Sequence, residues 1–213
     1  MTTTIITGAS QGLGRALARL FASRGHRLIL NARRSEPLHE LARELGAIAV
    51  AGDVSEIAEE IAAAAGEADI LINNASELGP LPMPRLEDYP WDALLRVFRV
   101  NVVAPLHLAQ LVLPRMKARG SGVIVNITSD AGVNAYPGWG GYGASKAALE
   151  HASRTLAAEL EGTGVRVYAI DPGDMNTEMH RLAIPDADVS RLALPEDVAP
   201  SIVERTIAEL VAA

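Results

Sequence analysis

The chain has 213 residues, 49 % of them hydrophobic, a formal net charge of −7 and no cysteine. That length suits one domain with a sizeable core, and the apolar content argues against disorder. An acidic balance with no basic cluster speaks against nucleic acid or an anionic membrane as the main partner, and the lack of cysteine excludes disulfides, thiolate nucleophiles and Cys-ligated metals.

No metal site is expected either, since His26, His39, His107, His151 and His180 are scattered without ligand spacing. No apolar run approaches the length of a membrane span, and Met1-Thr2-Thr3-Thr4 leads into strand-like sequence without a charged leader. The protein is therefore read as cytoplasmic, with no membrane partner.

Taken in order, Thr3 to Thr7 is a β-branched run that reads as strand one. Gly8-Ala9-Ser10-Gln11-Gly12-Leu13-Gly14 follows, and then a helix with apolar positions at Leu13, Leu17, Leu20 and Phe21. A strand, a glycine turn and a helix N-terminus offer free backbone N–H groups and a positive dipole end to a phosphate. Arg27 to Asn31 is strand two, a helix runs through Leu38, Leu41 and Leu45, and Ala47 to Val50 is strand three. A helix from Ile57 to Ala65 leads to strand four, Asp69 to Asn73.

A proline-rich loop (Pro80, Pro82, Pro84, Pro90) precedes a long helix from about Trp91 to Ala118. Pro105 inside it predicts a kink that frees backbone carbonyls about one turn earlier, around Asn101. Gly122 to Ile127 is strand five, a helix carrying Tyr142 runs to about Leu160, Val165 to Ile170 is strand six, and a last helix covers roughly Pro195 to Val211. This alternation, without linker or repeat, predicts an α/β fold: a parallel sheet covered on both faces with right-handed crossovers.

The unusual residues all follow strands. After strand one comes the glycine loop, after two Arg33-Arg34, after three Asp53-Val54, after four Asn73-Asn74-Ala75, after five Ser129, and after six Asp171-Pro172-Gly173. In a parallel sheet these C-terminal ends share one edge, where open α/β folds bind ligands. Taken singly, each reads equally well as a cap, a turn or a strand-end hydrogen-bonder.

The stretch Trp139-Gly140-Gly141-Tyr142-Gly143-Ala144-Ser145-Lys146 sets a tyrosine and a lysine four apart, on one helix face. An ammonium beside a phenol favours the phenolate, so Lys146 is expected to lower the Tyr142 pKa and make it a general acid/base. Of the 19 Lys and Arg residues only Lys117 and Lys146 are lysines. A compact ammonium reaches a ribose hydroxyl and a phenol together, which a planar guanidinium does poorly.

Thr7-Gly8-x-x-x-Gly12-x-Gly14, Asn73-Asn74-Ala75, Ser129, Tyr142-x-x-x-Lys146 and Pro172-Gly173 together make the chain resemble a short-chain dehydrogenase/reductase of the simple, non-extended branch, over about residues 3 to 178. The resemblance implies a Rossmann-type doubly wound parallel sheet and hydride transfer between a nicotinamide cofactor and a carbonyl or alcohol. It implies that Tyr142 gives its proton to the carbonyl oxygen, that Ser129 hydrogen-bonds that oxygen, that Lys146 binds the nicotinamide ribose, and that Asn101 holds a water in the proton relay. Cofactor contacts carried over in the same way are Gly8, Ser10, Gly12, Leu13, Gly14, Arg33, Arg34, Asp53, Val54, Asn74, Ala75, Pro172, Gly173 and Thr177, besides Tyr142 and Lys146. A non-catalytic dinucleotide-binding regulator of the same fold is the alternative.

The chain departs from that pattern in three places. Ser76 stands where the family usually has glycine and sets a side chain close to the cofactor loop. The segment Asp174 to Leu194 is short for a substrate lid. The chain ends after a helix without the seventh strand many members add, so about six strands are expected.

No acid stands at the end of strand two to repel a 2′-phosphate, and Arg33, assisted by Arg34 or Ser10, is placed to pair with one, so NADP(H) is expected with NAD(H) possible. Candidate substrate walls are Leu78, Val133, Tyr136, Trp139, Met175, Met179 and Leu182, with acids at Glu77, Asp130 and Asp174 and one basic residue, Arg181. These suit a neutral or apolar ketone or aldehyde. The long helices carry Leu106, Leu111, Val112, Leu149 and Leu156, and a homodimer is expected through them.

Overall fold

The computed structural model describes residues 1–212. Strands β1 (Thr3–Thr7), β2 (Arg27–Ala32), β3 (Ile48–Ala51), β4 (Ile70–Asn73), β5 (Gly122–Ile127) and β6 (Val165–Ile170) form one parallel sheet in the order β3-β2-β1-β4-β5-β6. Helices α1 (Gly12–Ser23), α2 (Ser35–Leu45), α3 (Ala58–Ala65), α4 (Trp91–Phe98), α5 (Ala104–Arg119) and α6 (Gly140–Glu159) lie between the strands in the chain, and α7 (Glu178–Ala183) and α8 (Pro195–Ala212) follow β6.

Successive strand residues point to opposite faces, and the core divides accordingly. Ile6, Leu30, Ile72 and Val125 pack with Leu17 and Phe21 of α1, Leu38 of α2 and Ile202 of α8. Their chain neighbours Ile5, Ile29, Leu71 and Ile124 pack on the other face with Ile61 of α3 and Leu108 and Met116 of α5. Every residue of β1, β4 and β5 is buried, which is why these strands read as unbroken apolar or β-branched runs. The sheet reverses direction of growth between β1 and β4, and that switch point opens a crevice at the C-terminal strand ends.

The expected kink is a π turn at Arg99–Val103, just ahead of Pro105, joining α4 to α5. Pro105 lacks the N–H an α-helix would need there, and the wider turn absorbs that defect. The whole rod, Trp91–Arg119, is long and apolar enough to cross a membrane, which corrects the expectation that no such run exists. One face of it has a partner within the chain, since Val100, Ala104, Leu108, Val112 and Met116 fill the core between α3 and the sheet. Of the residues expected at a dimer face, Val112 and Leu149 are likewise buried within the chain. The segment expected to be only a short lid contains α7 and a 3₁₀ turn, Val189–Arg191, tied back by a bridge between Met175 and Ala193.

Candidate active site

The crevice is a cavity of about 460 Å³, of the size that holds a small organic molecule. One end is the glycine turn after β1. Gly8 and Gly12 have φ of 66° and 51°, a region L side chains avoid, and a Cβ on Gly12 would come within 3.3 Å of Thr177. Gly14 does not line the cavity; a Cβ there would sit 2.3 Å from Gly8 O and 2.6 Å from Asn74 Nδ2, so its role is to let α1 press against the turn.

Asn74 stitches the next loop to that turn, its Nδ2 donating to Thr7 O at 2.9 Å, while Thr7 Oγ1 accepts from the amides of Asn74 and Ala75 at 3.0 Å each. A backbone cradle at a helix N-terminus suits a diphosphate, and the residues present fit a nicotinamide dinucleotide. Ser10, Leu13, Val54, Ala75, Pro172, Gly173 and Thr177 all border the same space.

At the mouth, charges are paired. Arg33 Nη1 meets Glu77 Oε2 at 2.9 Å, and Arg34 Nη1 meets Glu178 Oε2 at 3.2 Å. The end of β2 has no acid of its own, as expected, but the fold brings Glu77 beside Arg33 from the loop after β4. Asp53 accepts from Ser55 N and Ser55 Oγ at 2.9 and 2.7 Å and from Arg96. Burial opposes its charge, yet those hydrogen bonds and the guanidinium hold its carboxyl below the ordinary range.

The other end holds Ser129, Tyr142 and Lys146. Two glycines bring these elements together: a Cβ on Gly143 would lie 2.5 Å from Ala131 O, and one on Gly132 would lie 2.9 Å from Ala147 N. The 3₁₀ turn Asp130–Gly132 thereby packs directly on the α6 backbone. Tyr142 and Lys146 are 8 % and 2 % exposed. Lys146 Nζ donates to Ile127 O at 2.8 Å and lies 5.4 Å from the Tyr142 ring centroid.

The low Tyr142 pKa expected beside Lys146 is corrected: the net shift is upward. Burial pushes the phenol up to about 12, against weaker opposite pulls from the Ser76 and Ser129 hydroxyls. Burial also pushes the Lys146 ammonium down to about 8. Desolvation dominates at both groups.

Asn101 does not line the cavity. Its side chain is fully buried in the π turn, with Nδ2 donating to Glu77 O and Ser145 Oγ at 2.9 Å each and Oδ1 accepting from Glu77 N at 2.7 Å. It clamps the loop after β4 onto α6.

Leu78, Trp139, Met175, Met179 and Leu182 border the cavity, as do Glu77, Asp130 and Asp174. Val133 is 77 % exposed and outside it, Tyr136 turns its hydroxyl onto Asp130 at 2.7 Å, and Arg181 points to Asn176 Oδ1 at 2.6 Å. Besides Arg33, Arg34 and Lys146, His180 borders the cavity, its Nε2 at 3.6 Å from Asp174 Oδ1. The sequence places it only among five scattered histidines, because nothing there marks α7.

This assembly has counterparts among known proteins. The family model for short chain dehydrogenases matches residues 2–187. The chain belongs to the short-chain dehydrogenase/reductase family. It is 40 % identical over 190 residues to a short chain dehydrogenase of Pseudocercospora fijiensis, a match covering 83 % of this chain and 60 % of that protein. It is 33 % identical to the 7alpha-hydroxysteroid dehydrogenase of Escherichia coli K12, covering 92 % of this chain and 83 % of the relative. A solved short chain dehydrogenase from Shigella flexneri 2a, complexed with NADP, superposes with a TM-score of 0.85 at 28 % identity, covering 94 % of this chain and 88 % of that one.

Proposed function

We propose that this short-chain dehydrogenase/reductase transfers a hydride between NADP(H) and a neutral or apolar ketone, aldehyde or corresponding alcohol. The observation that carries the reading is one cavity running from the glycine turn and Arg33 at one end to the Ser129 and Tyr142 hydroxyls and the Lys146 ammonium at the other. A regulator that only bound a dinucleotide would have no use for a buried phenol beside a serine hydroxyl at the far end.

When bound, the nicotinamide supplies or takes the hydride at the carbonyl carbon. The chain's own residues do the rest. In reduction Tyr142 Oη gives its proton to the carbonyl oxygen, Ser129 Oγ hydrogen-bonds the same oxygen, and the Lys146 ammonium stabilises the phenolate left behind. Lys146 Nζ has two N–H groups beyond the one given to Ile127 O, enough for a ribose hydroxyl. Preference for the 2′-phosphate is supported by Arg33 and Arg34 at the end of β2 and by the NADP in the Shigella relative. The substrate class is supported by walls of Leu78, Trp139, Met179 and Ala183 around Tyr142.

A homodimer belongs to the same reading, supported by the exposed Trp91, Leu95 and Val103 on the α4–α5 rod, and light scattering reads it. A panel of ketones and aldehydes with NADPH and NADH tests the function. Turnover of apolar carbonyls with NADPH is expected. Tight cofactor binding without turnover on any carbonyl or alcohol would favour the regulator, and a clear preference for anionic substrates would overturn the substrate class.

A further inference from the structure

The turn after β2 carries two arginines, and each is paired with a carboxylate from another part of the cavity wall. Arg33 Nη1 lies 2.9 Å from Glu77 Oε2 on the loop after β4, and Arg34 Nη1 lies 3.2 Å from Glu178 Oε2 on α7. A third arginine, Arg96 on α4, donates from Nη2 to Asp53 after β3 and places its Nε 3.8 Å from the same Glu77 oxygen. Arg33, Arg34, Asp53, Glu77 and Glu178 all border the cavity. Three guanidinium groups thus meet three carboxylates, and a mouth that reads as basic in the sequence carries no net charge.

Glu77 is the best anchored of these acids. Its backbone N–H and C=O are both held by the buried Asn101 amide, and its side chain is 22 % exposed against 49 % for Glu178. Water and salt therefore screen its charge less. A second anion placed on Arg33 must either draw the guanidinium away from Glu77 or share it and sit beside a fixed like charge, and both weaken its binding. A ribose with a free 2′-hydroxyl meets neither cost.

We propose that Glu77 is a specificity-determining residue acting through Arg33: its carboxylate holds down the affinity gained from a 2′-phosphate and so keeps the site open to NAD(H) beside NADP(H). The acid that is missing from the end of β2 is in effect supplied by the loop after β4, across the switch point of the sheet. This rests on the proposed placement of the 2′-phosphate at Arg33.

Glu77→Gln tests it, since glutamine keeps the length and an acceptor oxygen for Arg33 and removes only the charge. Fluorescence titration with NADPH and with NADH gives both Kd values without any substrate. The Kd for NADPH should fall about fivefold, the scale of one partly exposed ion pair, and that for NADH should stay where it is. A carboxylate that merely held Arg33 or its own loop in position would give an unchanged or higher Kd for NADPH, and either result overturns the proposal. An equal gain for NADH overturns it too, because such a gain would not come from the phosphate. Arg33→Ala separates this inference from the reading beneath it. If that variant leaves the ratio of the two Kd values unmoved, the phosphate placement fails and the role of Glu77 falls with it. If it costs NADPH alone while Glu77→Gln changes nothing, the placement stands and only the role of Glu77 is lost.

Discussion

Lys146→Met should stabilise the cofactor-free protein at neutral pH while removing its activity. Lys146 is fully enclosed, and burial lowers its pKa from 10.5 to about 8. That difference corresponds to a penalty of about 3 kcal/mol for keeping the ammonium protonated in the folded state. Methionine has a similar length and no charge, but it leaves Ile127 O without the Nζ donor, a loss of about 1–2 kcal/mol. The net gain at pH 7 is therefore about 1–2 kcal/mol.

The sign with pH follows from proton counts. Between about pH 8 and 10.5 the unfolded chain still holds the lysine proton and the folded chain does not, so parental stability rises through that window and the penalty disappears. Tyr142, raised to about 12, begins to remove stability only above about pH 10, so it leaves the lower part of the window untouched. Lys146→Met lacks the rise. Urea denaturation should find it the more stable protein at pH 7 and the less stable by about 1 kcal/mol at pH 10. A variant less stable by the same amount at both pH values would refute the claim that desolvation dominates at this lysine.

Tyr142→Phe should abolish turnover yet bind NADPH with an unchanged Kd, measured by fluorescence, because only proton transfer needs the hydroxyl. Arg33→Ala should raise the KM for NADPH roughly tenfold and leave that for NADH nearly unchanged, the scale of one charge-assisted hydrogen bond on a side chain that is 58 % exposed. Gly14→Ala should weaken both cofactors and lower Tm together, since its Cβ would strike Gly8 O at 2.3 Å and no flexible group can yield there.

The sheet was legible because β1, β4 and β5 are buried on both faces and so carry unbroken runs, and because the helices between them repeat at helical spacing. The crevice was legible because each odd residue ends a strand, and parallel strands end on one side. Two things were not. Helix α7 has six residues and none of them is buried, so no apolar face marked it, and His180 was hidden with it. Glu77 could not be matched to Arg33 because the two lie on different loops and meet only once β1 and β4 stand side by side. The pKa of Tyr142 was misjudged for a related reason: sequence spacing reveals that a lysine is near but not how much water has been removed from both.

Glu77 links the two ends of the site in a way that keeps them mechanically separate. Its carboxylate is at the mouth, 2.9 Å from Arg33 and 3.8 Å from Arg96, while its backbone N–H and C=O are both held by the buried Asn101 amide. A 2′-phosphate that draws Arg33 away removes only a partly exposed ion pair, worth about 1 kcal/mol or less, and Arg96 remains to balance the freed carboxylate. The Asn101 clamp lies in the interior and does not share in that exchange. Charges at the mouth can therefore change partners as a cofactor enters, while Ser76, one residue before Glu77 on the same clamped loop, keeps its place on the cavity wall.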